Sequence, residues 1–302
     1  MKNFFCCLIC IVTLFYPLSA AADIGRISEA QCRKMTETGV MDAHAPVQCG
    51  RLRNVTFTHI DFQGAEKTGQ VVVIDALAPY VENIFAQLQS RNFPIHQAVT
   101  IEHFSGDDDK SMQVNNTSAF NYRAIAGQKS LSLHAYGAAI DINPLQNPFV
   151  SFTSWGTATF KPLKGHQYLN RMHSRLNKEN SRGFAEQVLQ IFAQNGFIYW
   201  GGYWDTPIDF QHFQTSRDTA YLMSSLDSAS AGLFFRNYVN WYRQCSSRLT
   251  TQPQLFAVTD YESYLKKRLN TKSLHKSFKT DKQQLLNLIM QPLNSSPENC
   301  SG

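Results

Sequence analysis

Two stretches of the chain carry residues whose types and spacing suit metal chemistry. The first is Ser132-Leu133-His134-Ala135-Tyr136-Gly137-Ala138-Ala139-Ile140-Asp141. The second is Trp200-Gly201-Gly202-Tyr203-Trp204, followed by Asp209-Phe210-Gln211-His212. Gly137 can take backbone angles closed to other residues, so the chain can double back there and bring the His134 imidazole to the Asp141 carboxylate. Asp141 lies between Ile140 and Ile142 in an apolar run, where a carboxylate is costly unless it is paired or bound to a cation. A helical turn or a tight loop would put Asp209 and His212 on one side. Together His134, Asp141 and His212 offer two nitrogens and an oxygen, the kind of set that holds a catalytic zinc ion with a fourth position open. Asp209 then has the role of general base rather than ligand. The residues alone also admit a plainer arrangement, a hydrogen-bonded histidine in a turn and an ion-paired Asp141.

The elements that must position these groups read as an α+β protein. Thr56–Ile60 alternates and Gln70–Ile74 is a β-branched run, so both are expected as strands, with Gly64 and Gly69 punctuating the connection. Leu77, Ala78, Val81, Ile84, Phe85 and Leu88 recur at helical spacing. Asp75 is expected to cap that helix, Pro79 to sit in its first turn and Arg91-Asn92-Phe93-Pro94 to end it. Val99–His103 reads as a strand, Ser105–Lys110 as an acidic turn, 111–130 as irregular, Ala138–Ile142 as a buried strand and 145–182 as loop-rich. A second helix is expected over Phe184–Gln194 and a strand over Phe197–Trp200. Beyond Ser216, Leu233–Arg243, Tyr261–Leu269 and Gln283–Met290 read as helices. The architecture expected is a small antiparallel sheet with packed helices plus a C-terminal helical extension.

The chain has 302 residues, 43% of them hydrophobic, enough for a packed core. Lys2, the apolar stretch Phe4–Leu18 and the small residues Ser19-Ala20-Ala21-Ala22 read as a secretory signal peptide, which implies export to the periplasm or the medium and no stable membrane span after cleavage. Cys6, Cys7 and Cys10 would leave with it. Cys32, Cys49, Cys245 and Cys300 remain, an even number that suggests two disulfides in an exported protein. Of three possible pairings, Cys32–Cys49 with Cys245–Cys300 closes the shortest loops. The formal net charge of +5 is mild. The basic residues Lys266, Lys267, Arg268, Lys272, Lys276, Lys279 and Lys282 read as a solvated helix face, with adhesion to anionic envelope polymers the alternative. No aromatic platform interleaves with them, so a nucleic-acid partner is not expected.

Ser-x-His-x-x-Gly-x-Ala-x-Asp from Ser132 to Asp141, then Trp200-Gly201-Gly202 and Asp209-x-x-His212, resembles the VanY-type zinc D-Ala-D-Ala carboxypeptidases. That family includes the L-alanyl-D-glutamate endopeptidases of phage endolysins. Asp61-Phe62, Phe93-Pro94-Ile95, Asp107-Asp108-Asp109, Asn116–Asn121 and Asp141-Ile142-Asn143-Pro144 extend the likeness over about residues 50–215. The resemblance implies a hedgehog/DD-peptidase-like fold, zinc on His134, Asp141 and His212, Asp209 as the catalytic acidic residue, and peptidoglycan stem peptide as substrate. It also implies that Arg123 binds a substrate carboxylate, and that Ser132 supports the site or contacts substrate. A cysteine often precedes that arginine in the branch, where this chain has Tyr122. The division expected is a signal peptide at 1–22, an N-terminal arm at 23–50, a zinc peptidase domain at 51–216 and a helical extension at 217–302. Hydrolysis of a terminal D-Ala-D-Ala bond is the leading reading. The alternatives are L-alanyl-D-glutamate endopeptidase action and a non-catalytic zinc-containing wall-binding module.

Other residues have plainer expectations. One of Trp200 and Trp204 is expected in the core and one along the substrate cleft, Trp204 being the substrate contact. Tyr136 is expected to cover the turn. His44, His59, His96, His103, His166, His173 and His275 lie outside the motifs. Asp107-Asp108-Asp109 reads as a capped acidic turn rather than a calcium loop, since no EF-hand spacing follows.

Overall fold

The computed structural model describes residues 23–172, 176, 181–248 and 260–300. The expected signal peptide and His173 lie outside the described residues.

The chain enters on β1 (Asp23–Arg26), and α1 (Glu29–Glu37) follows with Ser28 capping it. The Cys32–Cys49 disulfide ties α1 to the approach of β2 (Leu52–Ile60). β2 pairs antiparallel with β1 and, over all nine residues, with β3 (Glu66–Ile74). Val55 and Phe57 on β2 and Val71, Val73 and Ile74 on β3 are buried against α2 (Ala78–Ser90), which turns Val81, Ile84, Phe85 and Leu88 toward them. The rings of Phe57 and Phe85 stack at 3.6 Å between centroids.

Asp75 does not cap α2. The cap position is Leu77, without a side-chain hydrogen bond. The Asp75 carboxylate instead receives both Nε and Nη2 of Arg51, at 2.6 and 2.9 Å, and the Ala76 N–H. The helix starts too late for Asp75 to reach its free amides, and a bidentate ion pair satisfies the buried charge better. Arg51 also donates to the carbonyls of Leu226 and Met223, so one guanidinium joins the first sheet to the C-terminal helices.

β4 (Gln97–Ala98) and β5 (Asn116–Thr117) form a short parallel pair. The strand expected over Val99–His103 is absent. The Asn116 side chain takes both the N–H and the carbonyl of Val99, at 2.8 Å each, and Ile101–Phe104 winds into a 3-10 turn. The acidic stretch that follows opens α3 (Asp108–Gln113), with Asp107 as its N-cap. Asp108 pairs with Arg123 and Asp109 with Lys161, so each of the three acids has a partner within the protein.

Next comes β6 (Ala139–Asp141). The stretch read as loop-rich contains a hairpin, β7 (Phe149–Phe152) with β8 (Ala158–Lys161). The helix expected over Phe184–Gln194 is broken at Val188 into a 3-10 turn and α4 (Leu189–Gln194). Then β9 (Tyr199–Trp200), β10 (Ile208–Asp209) and β11 (His212–Gln214) complete two three-stranded antiparallel sheets, ordered β6-β11-β9 and β10-β7-β8.

The C-terminal region is helical: α5 (Arg217–Ser225), α6 (Ser228–Arg248), α7 (Tyr261–Arg268), α8 (Leu274–Thr280), α9 (Lys282–Met290) and α10 (Pro297–Cys300). It shares the core of the rest of the chain. Phe234, Phe235, Tyr238, Val239 and Trp241 are buried in the same cluster as Val81, Phe192 and Phe213. Phe235 meets Tyr80 of α2 edge-on at 5.0 Å. Cys245 of α6 bonds Cys300, so both disulfides are the short-loop pairs. No described helix is long and apolar enough to cross a membrane.

Candidate metal centre

β-sheet register builds half of the centre. Asp141 on β6 lies directly opposite His212 on β11, and partners at one register position project from the same face. On its other side Asp141 exchanges both backbone hydrogen bonds with Ser118, at 2.9 and 3.0 Å, which fixes the strand from two sides. His134 arrives from the 3-10 turn Leu133–Tyr136, whose first residues are held by Ser132 accepting from the His134 N–H. The turn ends on Gly137 at φ +62°, where a Cβ would stand 2.6 Å from the Ile74 nitrogen of β3. Only glycine fits both that angle and that approach.

His134 Nε2 lies 3.2 Å from His212 Nδ1 and 3.2 Å from Asp141 Oδ2, and His212 Nδ1 lies 2.8 Å from Asp141 Oδ1. All three residues are buried, and the ligand atoms fall within 4.8 Å of one another. The remaining ring nitrogens are already satisfied. His134 Nδ1–H donates to the Ala119 carbonyl at 2.5 Å, and His212 Nε2–H donates to Gln214 Oε1 at 2.8 Å. These bonds leave Nε2 of His134 and Nδ1 of His212 as the ring nitrogens that face the shared point, the pattern of metal-ligating histidines whose far nitrogens are tied to the protein. Two neutral imidazoles and a carboxylate turned on one point fit a divalent ion of zinc's preference.

The electrostatics agree. Burial raises the Asp141 carboxyl, but the two imidazoles outweigh it and hold the group well below the usual carboxylate range. Burial lowers His212, and the Asp141 charge together with Asp209 overrides it, raising the imidazole to about 9, so a cation entering the site would take the place of the His212 Nδ1 proton. The centre has a cation's worth of negative potential built into it.

Asp209 sits beside the three groups on the neighbouring sheet. Burial, then the Asp141 charge, raises its carboxyl to about 7. Its Oδ1 is buried without a hydrogen-bond partner. The glycine turn makes room for it, since a Cβ at Gly201 would meet the Asp209 carbonyl oxygen at 2.5 Å and the Asp209 Cβ at 2.8 Å. The link between Asp209 and His212 is not a helical turn. Phe210 and Gln211 carry the chain from one sheet to the other.

The two tryptophans differ in exposure. Trp200 is buried, its Nε1–H on the Phe210 carbonyl, and Trp204 is half-exposed with its ring 5.5 Å from that of His212. Ser132 is buried as the cap of the His134 turn. Tyr136 is half-buried over that turn, and burial raises its phenol. The Arg123 guanidinium pairs with Asp108, while its Nε is buried without a partner. Its carbonyl accepts the Ser132 N–H, so it is anchored to the segment that delivers His134.

Residues 126–215 match the family described as D-alanyl-D-alanine carboxypeptidase. This carboxypeptidase-like segment contains His134, Asp141, Asp209 and His212, both glycine turns and both tryptophans, and it begins after Arg123. The match supports peptidase chemistry. No curated protein and no solved structure matches the chain.

Two parts of the carboxypeptidase-like centre escape sequence reasoning. Gln214 carries a legible signal, since it stands two residues after His212 on one strand and so shares its face. The Ala119 carbonyl carries none, because a backbone acceptor has no residue type.

Proposed function

We propose that this protein is an exported zinc peptidase that hydrolyses the stem peptides of peptidoglycan, with D-Ala-D-Ala carboxypeptidase action. The observation that carries this reading is the convergence of His134, Asp141 and His212 on one point, with the Asp209 carboxylate, whose Oδ1 has no hydrogen-bond partner, beside them. His134 Nε2, His212 Nδ1 and Asp141 would hold the ion. The chemistry zinc supplies in such a site is Lewis acidity, which polarises a peptide carbonyl and acidifies water.

The chain's own residues do the rest. Asp209 Oδ1 accepts a proton from the attacking water and returns it to the leaving amine, so that water adds across the C–N bond. Ala119 and Gln214 lock the ring orientations. Arg123, whose guanidinium Asp108 holds, would exchange that partner for a peptide carboxylate and orient the scissile bond with its planar fork. The Trp204 ring walls the approach on the His212 side. The two disulfides support an oxidising compartment, in line with export.

The test is mass spectrometry of purified peptidoglycan fragments after digestion, with and without a chelator. Loss of a single terminal alanine, abolished by chelation, is the expected result. Products split between alanine and glutamate would move the assignment to the endopeptidase. No cleavage by a zinc-loaded protein would leave a wall-binding module.

A further inference from the structure

Between Lys266 and Lys282 the chain carries seven lysines and arginines against one acid, Asp281. That balance of +6 exceeds the +5 of the whole chain, so the other residues together are slightly acidic. The undescribed stretch 249–259 contains no charged residue. Helix α6, against which α7 and α9 pack, adds arginines and no acid.

The bases belong to one surface. Both α7 and α8 reach α5: Lys266 Nζ lies 2.7 Å from Asp218 Oδ2, and the His275 ring stacks on Tyr221 at 3.4 Å. Lys282 Nζ stands 5.3 Å over the Phe278 ring, which brings the start of α9 to α8. Tyr261, Leu265, Leu274, Leu285 and Ile289 turn into the shared core. Lys267, Arg268, Lys272, Lys276, Lys279 and Lys282 are left exposed. Lys266 takes Asp218, and among the described residues none of the six exposed bases has a carboxylate partner.

Helix stability does not account for all of these charges. The helix dipole favours acids in a first turn and bases in a last turn. Lys267, Arg268 and Lys279 follow that rule. Lys276, in the first turn of α8, and Lys282, the first residue of α9, break it, and neither first turn holds an acid. Lys276 and Lys279 also stand three apart on one helix, a repelling pair. Local choices that work against the fold point to a partner outside it.

We propose that the outer surface of α7, α8 and the start of α9 binds a soluble polymer of closely spaced phosphate groups. Each phosphate that meets a lysine or arginine releases condensed counterions, so a row of free bases binds such a polymer without a shaped pocket. A bilayer suits the surface less well. An interfacial helix buries an apolar face in the headgroups, and here those faces lie in the core. Among the described residues after Ser216, the one large exposed hydrophobic is Met290, at the far end of α9 from Lys282. Single-stranded nucleic acid stacks its bases on exposed rings, whereas the rings of α7 and α8 are buried or half-buried. Helix α5 packs against both α8 and the His134 turn. A bound polymer would therefore hold the candidate metal centre within two helix spacings, roughly 20 Å.

The test is binding rather than turnover, so a failure of the peptidase assignment leaves it readable. Labelled linear inorganic polyphosphate is titrated against the full chain by fluorescence anisotropy over a range of salt. Affinity is expected to fall steeply as salt rises. K272E, K276E and K279E combined should weaken binding at least about tenfold and lower the slope of log affinity on log salt by about two. Arginine at the same three positions should retain both. K34E, K67E and K129E combined, which reverse as many exposed bases outside the segment, should change affinity by less than about threefold. Melting temperatures check the fold of each variant, and K276E alone should not lower it, because the dipole disfavours the cation there. Equal losses in the two triple glutamate variants would reduce the effect to net charge and overturn the site. So would no binding by the wild type at low salt, or undiminished binding by the first triple variant. Tighter binding to anionic phospholipid vesicles or to single-stranded DNA, at equal phosphate concentration, would overturn the choice of partner.

Discussion

Asp141 and His212 face each other across the β6–β11 ladder, and their side chains meet at 2.8 Å. The candidate metal centre is thus set by strand pairing, and a shift of one residue would turn one of the two side chains to the opposite face. His134, on a turn held by Ser132 and Gly137, completes it from outside the ladder.

Removing Asp209 separates binding from chemistry. Asp209→Ala leaves all three ligand residues in place, so zinc content measured by atomic absorption should match the wild type. Hydrolysis should fall between about a hundredfold and ten-thousandfold. Wild-type turnover of stem peptide by this variant would show that the base lies elsewhere.

Zinc should stabilise the fold, because the ligands come from segments that only the folded chain brings together. At free zinc a hundred times its dissociation constant the gain is about 3 kcal/mol, read as a rise in melting temperature that a chelator reverses. His134→Ala should abolish the rise. A shift of equal size in that variant would place the ion at another site.

Gly201 is expected to act on rate rather than on metal. In Gly201→Ala the new methyl would stand 2.5 Å from the Asp209 carbonyl oxygen, so the Asp209 strand must move. A displacement near 1 Å at a reacting group costs on the order of a hundredfold in rate. Steady-state kinetics should place the loss in kcat, with zinc content intact.

Glu262 should impose a pH slope on stability. Its carboxylate is buried and accepts from Ser216 and Thr219. Burial raises it from 4.5 to about 7. The folded state therefore holds this proton more tightly than the unfolded state does. The resulting stabilisation is complete below about pH 4.5 and is lost as pH rises through about 7, a change of about 3 kcal/mol. Urea unfolding at pH 5 and pH 8 should show the slope in the wild type and a flatter one in Glu262→Gln. Parallel slopes would show that other groups set it.

What the sequence made legible was local or chemical. The β2 and β3 strands, the apolar face of α2, the disulfide pairs and the ligand spacing each rest on residue type and short-range period. What stayed hidden depends on distant partners. Phe149–Phe152 and Ala158–Lys161 are short and half-exposed, and they form strands because β10 pairs with β7 from across the chain. Val99–His103 has strand-like residues, yet the Asn116 side chain occupies the backbone groups a ladder would need. Asp75 looked like a cap, and only the fold reveals Arg51 within reach. Of the centre, the three converging residues could be named and Gln214 shared a strand face with His212, whereas the Ala119 carbonyl, a backbone group, carried no residue-type signal.

The strand that carries His212 runs between two others, β6 on one side and β9 on the other. An interior strand cannot swing outward without breaking hydrogen bonds on both flanks. An ion leaving that place would part only from side chains while the backbone beneath them stays put, so the emptied centre should keep its shape and take up zinc again without refolding.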